Sequence, residues 1–316
     1  MKDKQQYKIA VIANMSAGKS TFLNALFGSS VLPAYSHATT DCPVYIYSDE
    51  NPDNDMAIIE FMDGRDAIEL AKHDVQKEIK YYAQKDSDDL DEKYKNVKKI
   101  NLYWDFHILQ NSEKYDTSFV LIDTPGPNNT DEYASKHINI TKDIIINEAD
   151  MVLYLFDYQQ IDANLESTEN NLWGLIRQKK EKEPNFEVFF VINKIDQAFE
   201  DNKKISEVKD SSSKDEYYKN IKKHWFFHEK KGVEKIKNSA IKHGFESPKI
   251  FTISSKYIEY HRNRKNLNFD HSDDMSEFMK YFKNSFGSRR WKSKFHSYLG
   301  HKTIEKQLKK HLGLDV

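Results

Sequence analysis

One stretch limits what this chain can fold into more than any other: "YKIAVIANMSAGKSTFLNALFG", residues 7–28. "YKIAVIA" is a short β-rich apolar run, the pattern of a parallel strand buried on both faces. "STFLNALFG" is apolar on nearly every side and ends at Gly28, a residue suited to stopping a helix. Strand, glycine-bearing loop and helix, with a Lys-Ser pair at the turn, is the context a phosphate-binding loop needs. The N–H groups of Ala17, Gly18, Lys19 and Ser20 then point into one anion site at a helix N-terminus. Gly18 lets the backbone come close. Lys19 would neutralise β- and γ-phosphate oxygens, the Ser20 hydroxyl would ligate Mg²⁺, and Thr21 belongs to the same nucleotide-contacting set. The loop opens on Ala13, where glycine is usual, and carries Ser16 three residues ahead of the lysine.

The rest of the chain supplies a matching frame. Strand character recurs in "VYIYS", in 56–62, 100–108 and 118–127, in "MVLYLFDY" (151–158), in "FEVFFVINK" (186–194) and in 249–256. Helical patterns fall near 65–84, 133–148 and 163–180. Strands alternating with helices predict a doubly wound, mostly parallel α/β sheet. Residues 51–111 read as an insertion between core strands, and 197–248 as a Lys-rich, mostly helical excursion. The expected division is 1–268 for the α/β domain and 269–316 for a C-terminal helical extension.

Three further motifs carry chemistry. "NKID" (193–196) ends a buried strand, where ligands bind in open α/β sheets. The Asp196 carboxylate can accept from guanine N1–H and N2–H, a donor pair that adenine lacks. Such a hydrogen-bonding site rejects the wrong partner by about 10⁴ or more. Asn193 would meet guanine N7 and tie its loop to the phosphate loop, with the Lys194 stem over the ring. In "DTPG" (123–126), Asp123 would hold Mg²⁺ through water, and the Gly126 N–H would reach the γ-phosphate. "TISSK" (252–256) fits the last guanine loop, with Ser254, Ser255 and Lys256, and the Ser255 N–H near O6. The residue after DTPG is Pro127, not the glutamine that orients water in Ras-like switches, so another group must place the water.

Taken with Leu32–Pro33, with Thr40 seven residues past that proline, and with the following "DCP", these motifs resemble the dynamin superfamily. The resemblance implies a GTPase that converts GTP to GDP and phosphate. It implies that Ser16 helps hold a charge-compensating K⁺ or Na⁺, and that Thr40 binds Mg²⁺ and orients the water. It also implies self-association: head-to-head dimerisation of G domains completes the site and speeds hydrolysis. A narrower resemblance is to bacterial dynamin-like proteins of the replication-fork, clamp-binding type. It rests on "DTPGPN", "FDYQQI", "VINKIDQ", "IFTISSKY" and "FGSRRW", spread over about 8–292. It implies a membrane or a replication-associated protein as partner. The family continues past its G domain into a long helical stalk. A chain stopping at 316 is therefore expected to be trimmed or a short relative, and 269–316 to be the start of a neck or stalk. The alternative reading is a nucleotide-gated scaffold with little hydrolysis.

Composition narrows the remaining classes. Net charge is −2 with both signs interspersed, which gives no strong signal for nucleic acid. Cys42 is the one cysteine, so no internal disulfide can form, and a cytoplasmic setting is expected, with any membrane contact peripheral. No run reaches the ~18 apolar residues of a membrane span. Near the end, Asp274 and Glu277 open a capping-box-like helix, and two basic amphipathic helices follow around Gly300. Their apolar stripe, including Trp291 and Phe295, reads as packing on the domain or on a stalk, with lysines facing water. His224 and His228 share a helical face without a third ligand in view, so no metal site is expected there.

Overall fold

The computed structural model describes residues 5–13, 17–33, 41–48, 52–84, 89–104, 117–126, 134–166, 172–199, 214–256, 258 and 301–313. The sequence-predicted helix at 274–286 and the first basic helix lie outside them, as do Ser16, Thr40 and Pro127.

Five strands run parallel along one side of the sheet, out to its edge: β6 (Thr117–Asp123), β1 (Gln5–Ala13), β7 (Met151–Asp157), β8 (Glu187–Asn193) and β9 (Lys249–Thr252). β7 is buried at every residue, and β8 at all but its first. That is why both read as continuous apolar runs without alternation. Helices cover both faces: α1 (Lys19–Phe27), α2 (Lys72–Ala83), α3 (Ala134–Asp143), α4 (Ile161–Glu166), α5 (Leu172–Lys182) and α6 (Lys214–Lys242). Two apolar layers result, one on each face. Ile9, Val11 and Leu153 belong to one, and Ala10, Ile12 and Tyr154 to the other. This is the mostly parallel α/β architecture that the alternating pattern implies.

The sheet does not stop at β6. β2 (Val44–Ser48) joins it antiparallel, and β5 (Val97–Trp104), β3 (Met56–Phe61) and β4 (Ile68–Ala71) extend it to nine described strands. The segment expected as an insertion is therefore an edge extension of the same sheet. It contributes three strands where two were expected. The predicted helix at 65–84 is corrected in part: Ile68–Ala71 pairs with β3, and the helix begins only at Lys72. Pairing along β3 outweighs the helical preference of "IELA". The helix predicted at 133–148 runs as α3 and then widens into a π turn at Ile144–Glu148.

A last helix, α7 (His301–His311), packs back onto the central sheet. Ile304 and Leu308 are buried in the same apolar layer as Ile9 and Val11, and Lys306 and Lys310 face solvent. The His311 ring sits against Tyr7 of β1 and Phe189 of β8, and its Nε2 lies 3.2 Å from the Tyr7 hydroxyl. Burial pushes the Tyr7 hydroxyl up to about 12 and the His311 imidazole down, the marks of a desolvated contact.

Candidate functional site

The sequence-predicted residues that are described gather at the C-terminal ends of β1, β6 and β8. Gly18 caps α1 at φ +78°, a left-handed backbone that favours glycine. A Cβ there would stand 2.9 Å from Asn193 Nδ2. No side chain caps the helix, so its first-turn N–H groups are left to the space in front of it. The other end of α1 is tied down: the buried Asn24 amide donates to Leu32 O (2.9 Å) and accepts from Leu32 N (3.0 Å). That bond fixes Leu32–Pro33, the start of the segment leading to Thr40.

Ser20 and Asp123 meet directly, with Ser20 Oγ donating to Asp123 Oδ2 at 2.8 Å. The carboxylate is 1 % exposed, and its Oδ1 has no hydrogen-bond partner among the described residues. Burial raises the Asp123 carboxyl above its ordinary value, while the Lys19 charge and the Ser20 hydroxyl oppose that shift. Lys19 is shifted the other way: burial lowers its ammonium, against the pull of Asp123. Gly126 closes the group, since a Cβ on it would lie 3.2 Å from Lys19 Nζ. Thr124 holds the start of that loop on β1, its Oγ1 donating to Val11 O at 2.7 Å.

Asn193 joins three loops. Its Nδ2 donates to Ala17 O at 2.9 Å and more weakly to Gly18 O at 3.5 Å, and its Oδ1 accepts from Ser255 N at 3.2 Å. Lys194 takes a left-handed backbone at φ +58°. Its ammonium pairs with Asp157 Oδ2 at the end of β7, at 2.7 Å. Two residues on, the buried Asp196 accepts from Ser254 Oγ at 2.5 Å. The Ser255 hydroxyl is buried with no partner among the described residues, and Lys256 is exposed.

Sequence reasoning missed the groups that support this cluster. Asp157, the partner of Lys194, is simply the last residue of an apolar strand. His137 and Asp41, 96 residues apart, bond at 2.6 Å beside Gly126. Asp41 opens the "DCP" that follows Thr40, but His137 belongs to no short motif, so no local signal paired the two.

A phosphate-binding loop on β1–α1, an acidic loop after β6 and a guanine-type loop after β8 define a P-loop nucleotide-binding domain of the GTPase kind. The family model for the dynamin family matches residues 9–195, more than half of the chain. The chain belongs to the dynamin family. Its fold is similar to a solved structure of an oligomerised bacterial dynamin pair, described as providing a mechanism for long-range sensing and tethering of membranes. The TM-score is 0.50 at 16 % identity, and the match covers 98 % of this chain and 43 % of that one. A second structure of such a pair matches at TM-score 0.46 and 16 % identity, over 99 % and 41 % of the two chains. A tyrosine-to-alanine variant of Era from Aquifex aeolicus, in a crystal structure bound to GDP·AlF₄⁻, matches at TM-score 0.36 and 16 % identity, over 80 % and 52 % of the two chains. This chain thus spans under half the length of the bacterial dynamins it resembles. No curated protein matches it in sequence. None of these matches separates the clamp-binding subgroup from other bacterial dynamins. Among the described residues, no helix is long and apolar enough to cross a membrane.

Proposed function

We propose that this domain binds GTP with Mg²⁺ and hydrolyses it to GDP and phosphate, and that pairing of two G domains stimulates the reaction. The observation that carries the reading is the junction at Asn193, where one buried amide holds the phosphate loop and the loop at Ser255 in register. Asp196 then stands at a fixed offset from the phosphate cradle, as a guanine reader must.

The residues fit magnesium. Ser20 Oγ and Asp123 Oδ1, which has no partner among the described residues, are hard oxygen donors, and the Lys19 charge acts on the buried Asp123. Ser20 and Thr40 would hold Mg²⁺ directly and Asp123 through water, and the ion would neutralise charge on the β- and γ-phosphate oxygens. Lys19 adds its ammonium to the same oxygens. Burial lowers the Lys19 ammonium in the site, against the pull of Asp123, and phosphate oxygens beside it would favour its charged form. The Gly126 N–H contacts the γ-phosphate, and Thr40 orients the attacking water in place of the absent glutamine. Ser16 holds the monovalent cation, K⁺ or Na⁺. Lys194 lies over the guanine, and Asp157 keeps its head from swinging away.

Self-association is supported by the oligomerised state of the bacterial dynamin pair with the same fold. Peripheral contact with a membrane is the setting that likeness favours, and the single cysteine fits a cytoplasmic one. The second reading, a nucleotide-gated scaffold with slow turnover, draws on Pro127 in the place of the water-orienting glutamine. GTP turnover measured against protein concentration separates the two. Activity per molecule rises with concentration if dimerisation completes the site. Lys19→Ala and Thr40→Ala lose nearly all turnover, and Asp196→Asn loses preference for GTP over ATP. A specific activity flat in concentration removes the dimer, and near-normal turnover in both alanine variants removes the site.

A further inference from the structure

His137 is a buried histidine, with no exposed surface, that lies between two parts of the site. Its Nε2 is 2.6 Å from Asp41 Oδ1, and its Nδ1 is 3.1 Å from the carbonyl oxygen of Gly126. Asp41 directly follows Thr40, and Gly126 is the last residue of DTPG. The ring therefore bridges the segment that carries the switch threonine to the loop that faces the γ-phosphate.

Both ends of the bridge are anchored elsewhere. The Asp41 N–H donates to Ala83 O at 2.9 Å, which fixes it to the end of α2. Lys136, beside His137 on α3, places its ammonium 3.5 Å from the second Asp41 oxygen. Burial alone would raise the Asp41 carboxyl, but the bond to His137 and the charges of Lys136 and His137 outweigh it and hold the group below its ordinary value. One turn further along α3, Thr141 Oγ1 donates to Pro125 O at 3.1 Å. Two side chains four apart on one helix face thus grip consecutive carbonyls of the DTPG loop. Both atoms facing the His137 ring are acceptors, so at least one of the two contacts is a donated ring N–H.

We propose that His137 is a positioning residue that clamps the Thr40–Asp41 segment to the DTPG loop, so that both respond to the γ-phosphate as one unit. The proposal rests on the GTP reading above. α3 serves as the rigid member, and the ring makes any shift at Gly126 felt at Asp41. A γ-phosphate drawn to the Gly126 N–H would then also be felt at Asp41.

The test compares wild type with His137→Gln, which keeps one donor and loses the bridge. Amide hydrogen exchange is followed at 40–43 and 123–126 with GDP and with a non-hydrolysable GTP analogue. In wild type the analogue slows exchange in both segments together. In His137→Gln it slows 123–126 only, nucleotide affinity stays within about 3-fold, and turnover falls on the order of 10²-fold through misplaced groups. Asp41→Asn, which keeps size and loses charge, serves if the first variant folds poorly; it gives the same uncoupling, and the double variant is no worse than either single one. If both segments still respond together and turnover stays within about 3-fold in both variants, the clamp is refuted. If nucleotide alters neither segment in wild type, the GTP reading itself falls and takes the clamp with it.

Discussion

Replacing Asn193 by alanine probes the junction on which the site depends. The side chain is 1 % exposed, and it supplies a donor to Ala17 O and an acceptor to Ser255 N. Ala17 and Ser255 are themselves each 1 % exposed, so water does not readily take the place of the lost amide. An unsatisfied buried backbone group costs about 1–3 kcal/mol. Two such groups put the loss at about 2–6 kcal/mol, a large part of a typical total stability of about 5–15 kcal/mol. The assay is equilibrium urea unfolding of the nucleotide-free domain, read by circular dichroism. The control is Asn193→Asp. It keeps the acceptor for Ser255 N but turns a carboxylate oxygen toward the Ala17 carbonyl. That carboxyl has a raised folded-state pKa, so its deficit is small at low pH and grows as pH rises through that value. A loss below about 0.5 kcal/mol in the alanine variant would show that the three loops hold their register without the amide, and the argument for a preformed cradle would fail.

Two further outcomes follow from burial. Asp123 has a folded-state pKa above its unfolded value, chiefly through desolvation. Its contribution to stability is fully present below the unfolded pKa, about 3.9, and is lost as pH rises through the folded one. Without nucleotide or metal, the stability of wild type relative to Asp123→Asn should therefore fall as pH rises above about 4; a flat or rising difference contradicts the shift. Leu308 of α7 is 2 % exposed within the apolar layer under β1. Leu308→Ala should cost about 2–5 kcal/mol in thermal unfolding of the whole domain, whereas an unchanged melting temperature would mean that α7 does not dock on the sheet.

Much of the fold was legible because its signals are local. The run "YKIAVIA" is buried on both faces in β1, and "STFLNALFG" becomes α1 with its left-handed cap at Gly28. β7 and β8 read as apolar runs for the same reason. The edge was harder. "IELA" pairs with β3, and that pairing is non-local, so residues 65–84 read as one helix although they divide between β4 and α2. The motif residues were named from spacing alone, but spacing says nothing about which atoms meet.

The sequence by itself determined the alternation of strands and helices, the order of the phosphate and guanine motifs and their place at strand ends. Those follow from hydrophobic period and from the turn chemistry of glycine, both of which act within a few residues. Only the tertiary structure decided that the amide tying Asn193 to the phosphate loop also accepts from Ser255, that Asp157 holds Lys194, and that His137 joins Asp41 to Gly126. These are hydrogen bonds and ion pairs between residues far apart in the chain. They exist because a buried polar group must find a partner wherever the packed sheet brings one, and sequence distance does not enter that condition.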